Sequence, residues 1–209
     1  MSDWFYDTVT FVGRHPFWVS SRPTVIGAHH TDREGAYILA SGNHEAPYDI
    51  PLLMRHCKRR IDFLSITEVF QNPLVAWLYG NMNAFPLDRS RPDSKAMLQL
   101  VDRLQRGRVL GMFPEGRFVR GEESVVKSRR IRSGVGRIAK LSNCPIVPCL
   151  VINSIAYSKF INWLPIRRVR YGVIFSEPIE PTAEPEEIER QLIDRYVLMY
   201  AQLQAAMLL

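Results

Sequence analysis

The sequence contains few cysteines and no long apolar run. Its three cysteines are Cys57, Cys144 and Cys149, an odd number without C-x-x-C spacing. This excludes a disulfide framework, gives no zinc pattern and is typical of a reducing compartment. No apolar run reaches the roughly 18 to 20 residues that a membrane-spanning helix needs. The N-terminus, with Asp3 and Asp7, also lacks the sustained apolar core of a signal peptide. We therefore expect any contact with a membrane to be at its surface.

Acidic residues are missing from a long interval of the chain. The net charge is +6, and no Asp or Glu occurs between Glu123 and Glu177. Such an asymmetry indicates an anionic partner, either a phosphate ester, an anionic lipid surface or a nucleic acid, and the alternative is a solvated basic face without a partner. The cations of the interval are Lys127, Arg129, Arg130, Arg132, Arg137, Lys140, Lys159, Arg167, Arg168 and Arg170.

Several signatures of other enzyme and binding classes are absent. There is no G-x-S-x-G, so a serine hydrolase elbow is excluded, and the basic motifs with interleaved aromatics that mark common RNA-binding modules are missing. "GVGRIA" fits a dinucleotide fingerprint, but no good strand precedes it and no acidic residue follows about 20 positions later. We therefore interpret Gly134 and Gly136 as close-packing positions at the start of a helix.

Two histidine clusters give weaker signals. His29 and His30 with Asp32 could be metal ligands, but neighbouring histidines in a loop seldom converge unaided, so an exposed turn is the better interpretation. His56 and Cys57 occur in a predicted helix, where a structural role is favoured over a thiol nucleophile. We expect no metal and no bound cofactor.

Short strand patterns alternate with helical ones along most of the chain. Strands are predicted at "GAYILAS", "IDFLSIT", "NAFPLDR", "RVLGMFPEG", "PIVPCLVIN" and "VRYGVIF", and helices at "NPLVAWLYGNM", "DSKAMLQLVDRLQRG" and "GVGRIAKLSN". This alternation predicts a single α/β domain over residues 17–180, with a largely parallel or mixed twisted sheet flanked by helices. A long helix over 181–209, capped by Thr182, is expected to pack on it.

Residues 1–16 form a short amphipathic segment. A helix from Asp3 to Val12 would gather Trp4, Phe5, Val9, Phe11 and Val12 on one side, and Gly13 and Pro16 would end it. That side either lies in a membrane interface or packs on the domain.

His44 and Asp49 follow the first predicted strand, in "SGNHEAPYDIPLL". A neutral imidazole takes a proton from an alcohol near pH 7, and a carboxylate on its other nitrogen fixes the tautomer and stabilises the imidazolium. In an α/β domain, ligand chemistry gathers at the carboxyl ends of strands. Taken alone, however, the pair also fits an ordinary turn followed by a helix cap.

Three further blocks change that balance. "FPLDRS" places Arg89 beside Asp88, and "FPEGRF" places Glu115, Gly116 and Arg117 in a tight turn after a strand. Guanidinium groups bind phosphate with two hydrogen bonds, and glycine allows close approach of the backbone. "CPIVPC" places Pro148 in a strand-like run.

Over roughly residues 36 to 153, the order N-H-x-x-x-x-D, F-P-L-D-R, F-P-E-G and I-V-P resembles the glycerolipid acyltransferase superfamily, of the 1-acylglycerol-3-phosphate acyltransferase type. The resemblance implies that His44 is the catalytic base and that Asp49 orients it. It also implies an acceptor-phosphate site formed by Arg89, Glu115, Gly116 and Arg117, with Pro148 near the acyl donor or in the pocket wall. Many members carry a small polar residue and then an Arg after F-P-E-G, whereas this chain has Arg117 and then Phe118.

The resemblance further implies acyl transfer from acyl-CoA or acyl carrier protein to the free hydroxyl of lysophosphatidate, which makes phosphatidate for phospholipid synthesis. Glycerol 3-phosphate or another lysolipid is the alternative acceptor. A cytoplasmic protein, peripheral at the inner face of an anionic membrane, is expected, and no nucleic-acid partner. A non-catalytic binder of anionic lipid or nucleic acid remains the competing hypothesis, and it would not need His44.

Overall fold

The computed structural model describes residues 3–66, 70–87, 94–132, 134–166 and 168–208. Of the residues in the predicted site, Arg89 lies outside these ranges, so its place in the phosphate site stays a prediction.

Seven strands of the described residues form one sheet in the order β1-β7-β6-β2-β5-β3-β4. All neighbouring strands are parallel except β6 and β7, which are antiparallel. The predicted mixed α/β sheet is therefore confirmed. The strands are β1 (Ser21–Ile26), β2 (Tyr37–Gly42), β3 (Ile61–Ile66), β4 (Phe85–Leu87), β5 (Val109–Met112), β6 (Ile146–Ile152) and β7 (Val169–Phe175).

Helices cover both faces of the sheet, which explains why β2 and β5 read as continuous apolar runs. Leu100 and Leu104 of α4, Ile138 of α6 and much of α7 pack on one face, and Tyr6 of α1 with Leu52 of α2 packs on the other. The helices are α1 (Asp3–Ser20), α2 (Asp49–His56), α3 (Pro73–Asn81), α4 (Ser94–Gln105), α5 (Val125–Ser128), α6 (Val135–Ser142) and α7 (Pro185–Leu208).

Helix α1 is longer than predicted. It continues through Gly13 and Pro16 to Ser20 because its last turn is held by tertiary contacts. Phe17 is buried, and its ring centroid lies 4.9 Å from that of Tyr157 and 5.0 Å from that of Trp163. Burial of an aromatic ring contributes about 1.5–3 kcal/mol, which offsets the backbone hydrogen bond lost at the proline.

The two faces of α1 have different environments. On the buried face, the hydroxyl oxygen of Tyr6 accepts a hydrogen bond from the Ile61 N–H at 3.0 Å. Trp4, Phe11 and Trp18, spaced seven residues apart, are each at least 65% exposed. The helix therefore packs on the domain and also presents an aromatic face to solvent. Every helix in the described ranges is too short or too polar to cross a membrane.

The C-terminal helix α7 begins at Pro185, three residues after the predicted cap Thr182. Proline suits the first helical position because its missing N–H would have no partner there, and the Glu184 carbonyl accepts the Ile188 N–H at 3.0 Å. One side of the helix lies against the sheet, as expected, and the Tyr196 hydroxyl donates to the Ala40 carbonyl at 3.0 Å. The buried residues of α7 are Ile188, Leu192, Tyr196, Met199 and Leu203.

Candidate active site

Strands β2 to β6 run in one direction, so the loops after β2 and β5 emerge at the same edge of the sheet. These are the loops that carry the predicted site: His44 follows β2, and Glu115 with Gly116 follows β5. The topology thus brings together two sequence blocks that lie about 70 residues apart.

Asn43 fixes the turn that delivers His44. It has a left-handed backbone with φ of 57°, a conformation that asparagine tolerates better than most residues. Its side-chain amide donates to the Val151 carbonyl at 3.1 Å and its oxygen accepts from the Ser124 hydroxyl at 2.7 Å. The end of β2 is therefore tied to β6 and to the start of α5. Sequence reasoning did not place Asn43 in the site, although its position beside His44 was a signal.

His44 and Asp49 form a buried pair. The His44 ring nitrogen Nδ1 lies 2.8 Å from Asp49 Oδ2, and the two residues are 8% and 1% exposed. An ionised carboxylate only accepts hydrogen bonds, so Nδ1 carries the proton and Nε2 is left as the basic nitrogen. The same Asp49 oxygen accepts the Ala46 N–H at 3.2 Å. Tyr48 is the N-cap of α2, so Asp49 does not serve as the cap that a purely structural interpretation would require.

Two phenyl rings flank the His44 imidazole. Phe113 stacks on it with ring centroids 3.6 Å apart and an interplanar angle of 15°, and Phe118 lies at 4.4 Å and 38°. The imidazole thus has apolar neighbours, and its exposed fraction is only 8%. Phe118 is half exposed, so it can also meet a substrate. Sequence reasoning noted Phe118 only as a departure from the superfamily pattern and did not place it against His44.

Glu115 joins the two loops through backbone hydrogen bonds. Its Oε2 accepts the His44 N–H at 2.8 Å and its Oε1 accepts the Val125 N–H at 2.6 Å. Burial raises the pKa of this carboxyl, and the two backbone bonds oppose that shift. Because both of its oxygens accept backbone N–H groups, Glu115 is placed to position His44 and the turn. An ionised carboxylate has no hydrogen-bond donor or positive charge with which to bind a phosphate.

The remaining predicted residues have different environments. Gly116 has φ of 72°, in the left-handed region that favours glycine. Arg117 is exposed and pairs with Glu123 at 3.2 Å, on the rim of a cavity of about 420 Å³. Pro148 is buried inside the sheet, where β6 pairs it with Ala40 of β2.

The patterns set aside in the sequence have structural explanations. The N–H groups of Gly134 and Gly136 both donate to Glu189 Oε1, at 2.7 and 3.2 Å. A Cβ on Gly136 would lie 2.2 Å from the Pro185 carbonyl oxygen, so this glycine allows α6 and α7 to pack closely. His56 Nε2 lies 2.8 Å from the Tyr171 hydroxyl, and Cys57 is buried.

No group of three or more His, Cys, Asp or Glu side chains in the described ranges is placed to hold a metal ion. The rings of His29 and His30, two candidate metal ligands with Asp32 by sequence, contact each other with their centroids 4.0 Å apart.

Comparison with known proteins points to one family. A family model described as "Acyltransferase" matches residues 22–152 of the 209-residue chain. The 1-acyl-sn-glycerol-3-phosphate acyltransferase of Bacillus subtilis is 30% identical over 89 residues, which cover 43% of this chain and 42% of that protein. The lyso-ornithine lipid O-acyltransferase of Pseudomonas aeruginosa is 40% identical over 81 residues, covering 38% of this chain and 31% of that protein.

A longer match has lower identity. The 1-acyl-sn-glycerol-3-phosphate acyltransferase of Streptococcus pneumoniae is 26% identical over 159 residues, covering 73% of this chain and 54% of that protein. The chain thus spans about half or less of the length of these curated relatives.

The fold has a solved counterpart. The 1-acyl-sn-glycerophosphate acyltransferase from Thermotoga maritima superposes with a TM-score of 0.67 and 19% identity, over 96% of this chain and 79% of that one. The family match takes in both loops that carry His44 and Glu115, and it extends over well more than half of the sequence. The chain belongs to the acyltransferase family.

Proposed function

We propose that the protein is an O-acyltransferase that moves a fatty acyl group from acyl-CoA or acyl carrier protein to the free hydroxyl of lysophosphatidate, making phosphatidate. The observation that carries the proposal is the buried His44–Asp49 pair, which leaves Nε2 as an oriented base at the sheet edge. The relatives named above act, by name, on 1-acylglycerol 3-phosphate or on a lyso-ornithine lipid, and both acceptors are lysolipids.

The proposed reaction is a single displacement at the thioester carbonyl. The acceptor oxygen attacks the carbonyl carbon while its proton passes to His44 Nε2, and Asp49 stabilises the imidazolium that forms. The tetrahedral intermediate then expels the thiolate, which takes the proton from the imidazolium and leaves as the thiol. No covalent acyl-enzyme is required. The developing oxyanion needs hydrogen-bond donors, for which backbone N–H groups of the two loops are the candidates.

A second candidate acceptor is a lysolipid without a phosphate monoester. Phe118 stands where many members of the superfamily carry an arginine, and its ring lies against His44. An aryl ring there supplies no charge to a phosphate. The match to a lyso-ornithine lipid O-acyltransferase agrees with this alternative.

We further propose that the protein binds the inner face of an anionic membrane through a continuous apolar surface. Helix α1 supplies Trp4, Phe11 and Trp18, helix α3 supplies Leu74 and Trp77, and the segment 160–166 supplies Phe160 and Ile166. All seven side chains are more than half exposed. Exposed aromatic rings at this density are typical of surfaces that insert at the boundary between headgroups and acyl chains.

Ring contacts join these three elements to each other and to the active-site loop. Phe5 of α1 contacts Trp77 of α3 with centroids 5.1 Å apart, and Phe17 of α1 contacts Trp163. Trp163 in turn contacts Tyr48, next to Asp49, at 5.7 Å. The exposed cations Lys159, Arg168 and Arg170 come just before and just after the segment 160–166 in the sequence and suit anionic headgroups. An acceptor lipid would thus lie beside His44 without leaving the membrane.

The reaction is tested by mixing purified protein, radiolabelled acyl-CoA and lysophosphatidate in detergent micelles. Labelled phosphatidate is expected from the wild type and none from His44→Ala, with unchanged circular dichroism. Parallel assays use acyl carrier protein as donor and glycerol 3-phosphate or lyso-ornithine lipid as acceptor. Turnover by His44→Ala would refute the assigned base, and no product with any combination would favour a lipid-binding protein without catalysis.

The membrane surface is tested by sedimentation with vesicles of phosphatidylglycerol and phosphatidylcholine. The triple variant Trp4→Ser, Phe11→Ser, Trp18→Ser is expected to lose most binding, because these side chains make few contacts with the domain. Leu208→Ser, which changes an exposed apolar residue on α7, is the matched control. Equal sedimentation of the triple variant and the wild type would exclude α1 from the binding surface.

A further inference from the structure

The cavity beside the Glu115–Gly116 turn contains two arginines that sequence reasoning did not place in the site. Arg130 and Arg132 line it, and within the described parts of the chain neither guanidinium makes a hydrogen bond or an ion pair. We propose that Arg132, assisted by Arg130, forms an anion subsite that binds a phosphate group of one of the two substrates. The inference builds on the proposed acyl transfer and names residues of that same site.

Arg132 is attached to the turn in two ways. Its backbone N–H donates to the Pro114 carbonyl at 2.8 Å, and its side chain lies across Gly116. A Cβ on Gly116 would stand 2.6 Å from Arg132 Cδ and 2.9 Å from Nε, with the guanidinium carbon at 3.4 Å. Glycine at 116 therefore makes room for this guanidinium, in addition to permitting the left-handed turn. The preceding residue in the turn, Glu115, accepts the His44 backbone N–H, so the turn that Arg132 covers is bonded directly to the His44 loop.

The charges around the cavity single out Arg130 and Arg132. Both carboxylate oxygens of Glu115 accept hydrogen bonds from backbone amides, and Glu123 pairs with Arg117. The third carboxylate, Glu122, is exposed to solvent and screened. Arg117 is thus already paired, whereas among the described residues the guanidiniums of Arg130 and Arg132 have no partner, and their donors can bind a ligand. A free guanidinium matches phosphate oxygens with two parallel hydrogen bonds.

The position of Phe118 gives an independent reason to look for another cation. The superfamily pattern has an arginine there, but in this chain position 118 is occupied by a ring that lies against His44, tilted by 38°. A phosphate held at this turn would then need a cation other than residue 118. Arg132 is 16 positions away from Gly116 in sequence, yet its side chain covers the same turn.

Two sources of phosphate share this chemistry: the headgroup of a phosphate-bearing acceptor and the nucleotide phosphates of acyl-CoA. The test measures KM for each substrate in the wild type, Arg132→Ala, Arg132→Lys and Arg130→Ala. Arg137→Ala, which removes an exposed cation on the neighbouring helix α6, is the matched control. Thermal unfolding of every variant without ligand separates a folding defect from a binding defect.

Loss of a charge-assisted bidentate contact is expected to raise one KM about 10- to 100-fold in Arg132→Ala. Arg132→Lys should recover part of the loss, and kcat should change much less than KM. If only the KM for lysophosphatidate rises, and the KM for a monoacylglycerol acceptor does not, the subsite binds the phosphate of the acceptor. A rise confined to acyl-CoA, absent with a short thioester of N-acetylcysteamine, assigns the donor. No rise in either KM beyond that of Arg137→Ala overturns the proposal.

A binding measurement keeps the inference separate from the reaction. Glycerol 3-phosphate is added as a probe, and the shift in the unfolding temperature is recorded for the wild type and Arg132→Ala. A shift that requires Arg132 supports the subsite even if no acyl transfer is found with any substrate pair. An equal shift in both proteins, or none in the wild type together with unchanged KM values, rejects it.

Discussion

Glu115→Gln tests whether this residue acts through the position of the His44 loop. The native carboxylate accepts two backbone hydrogen bonds, one on each oxygen, from His44 and Val125. A glutamine side chain has the same shape but only one acceptor oxygen. Whichever way the amide turns, its NH₂ group faces one of the two backbone N–H groups, donor against donor. One buried N–H is then left without a partner.

The cost follows from that single orphaned group. An unsatisfied buried N–H costs about 1–3 kcal/mol. For a chain of this size, each kcal/mol lowers the unfolding temperature by roughly 2–4 °C, so a decrease of about 2–12 °C is expected. The lower cost of burying a neutral amide offsets part of this loss, because burial already raises the pKa of the Glu115 carboxyl. The expected decrease is therefore in the lower half of that range.

The kinetic signature separates positioning from phosphate binding. If Glu115 holds the loop, Glu115→Gln lowers kcat while the acceptor KM stays within about twofold, since misplacing a base by a fraction of an ångström slows proton transfer. Glu122→Gln, a neutralised carboxylate on the same cavity, is the control and should change neither the unfolding temperature nor kcat. An unchanged kcat with a large rise in the acceptor KM would contradict the positioning role and return Glu115 to the phosphate site.

Three other variants test the surroundings of His44 and the acid stability of the fold. Asp49→Asn keeps the side-chain shape but removes the charge that stabilises the imidazolium, so kcat should fall about 10³- to 10⁴-fold with little change in the acceptor KM; a loss below tenfold would show that His44 does not need the carboxylate. Phe118→Leu removes the aromatic ring that contacts His44 and should lower kcat about two- to tenfold, the range of an aromatic contact, whereas Phe118→Tyr should retain activity. Burial lowers the pKa of His56 from 6.5 to about 4. The folded state then binds fewer protons than the unfolded state between these values, so stability is full above pH 6.5 and falls by about 2–3 kcal/mol toward pH 4. Urea titrations should show that the free energy of unfolding depends less on pH in His56→Phe than in the wild type. The same pH dependence in both proteins would refute the role of His56 in acid destabilisation.

Much of the fold follows from local patterns in the sequence. The strands β2 and β6 are apolar on both faces because helices cover both sides of the sheet, and such runs are visible without tertiary information. The boundaries that failed are those set by tertiary contacts. Burial of Phe17 extends α1 past Pro16, and Pro185 sets the start of α7 in place of Thr182.

The candidate site shows the same division. His44 and Asp49 are five residues apart, so their meeting at the start of a helix could be foreseen from spacing. The hydrogen bonds of Glu115 could not be foreseen in the same way. Its partner His44 is 71 residues away, and both of its partners, His44 and Val125, donate through the backbone N–H, which a pattern of side chains does not reveal. The motif alone predicts a place for Glu115 in a phosphate site, whereas the structure shows both of its oxygens bound to backbone N–H groups.

A motif records which residue types occur at a turn, and the fold decides which atoms face the ligand. At the turn after β5, the aryl ring of Phe118 covers His44 and the guanidinium of Arg132 covers Gly116. His44 is buried against two apolar rings, where its pairing with Asp49 is strengthened by the exclusion of water. Arg132, by contrast, is exposed to solvent and lines the cavity beside the turn. A buried imidazole together with an exposed guanidinium suits an acceptor that has a reacting hydroxyl at one end and a charged headgroup at the other. The acyl-transfer assays with different acceptors and the KM values of the Arg132 variants test the two ends of that molecule independently.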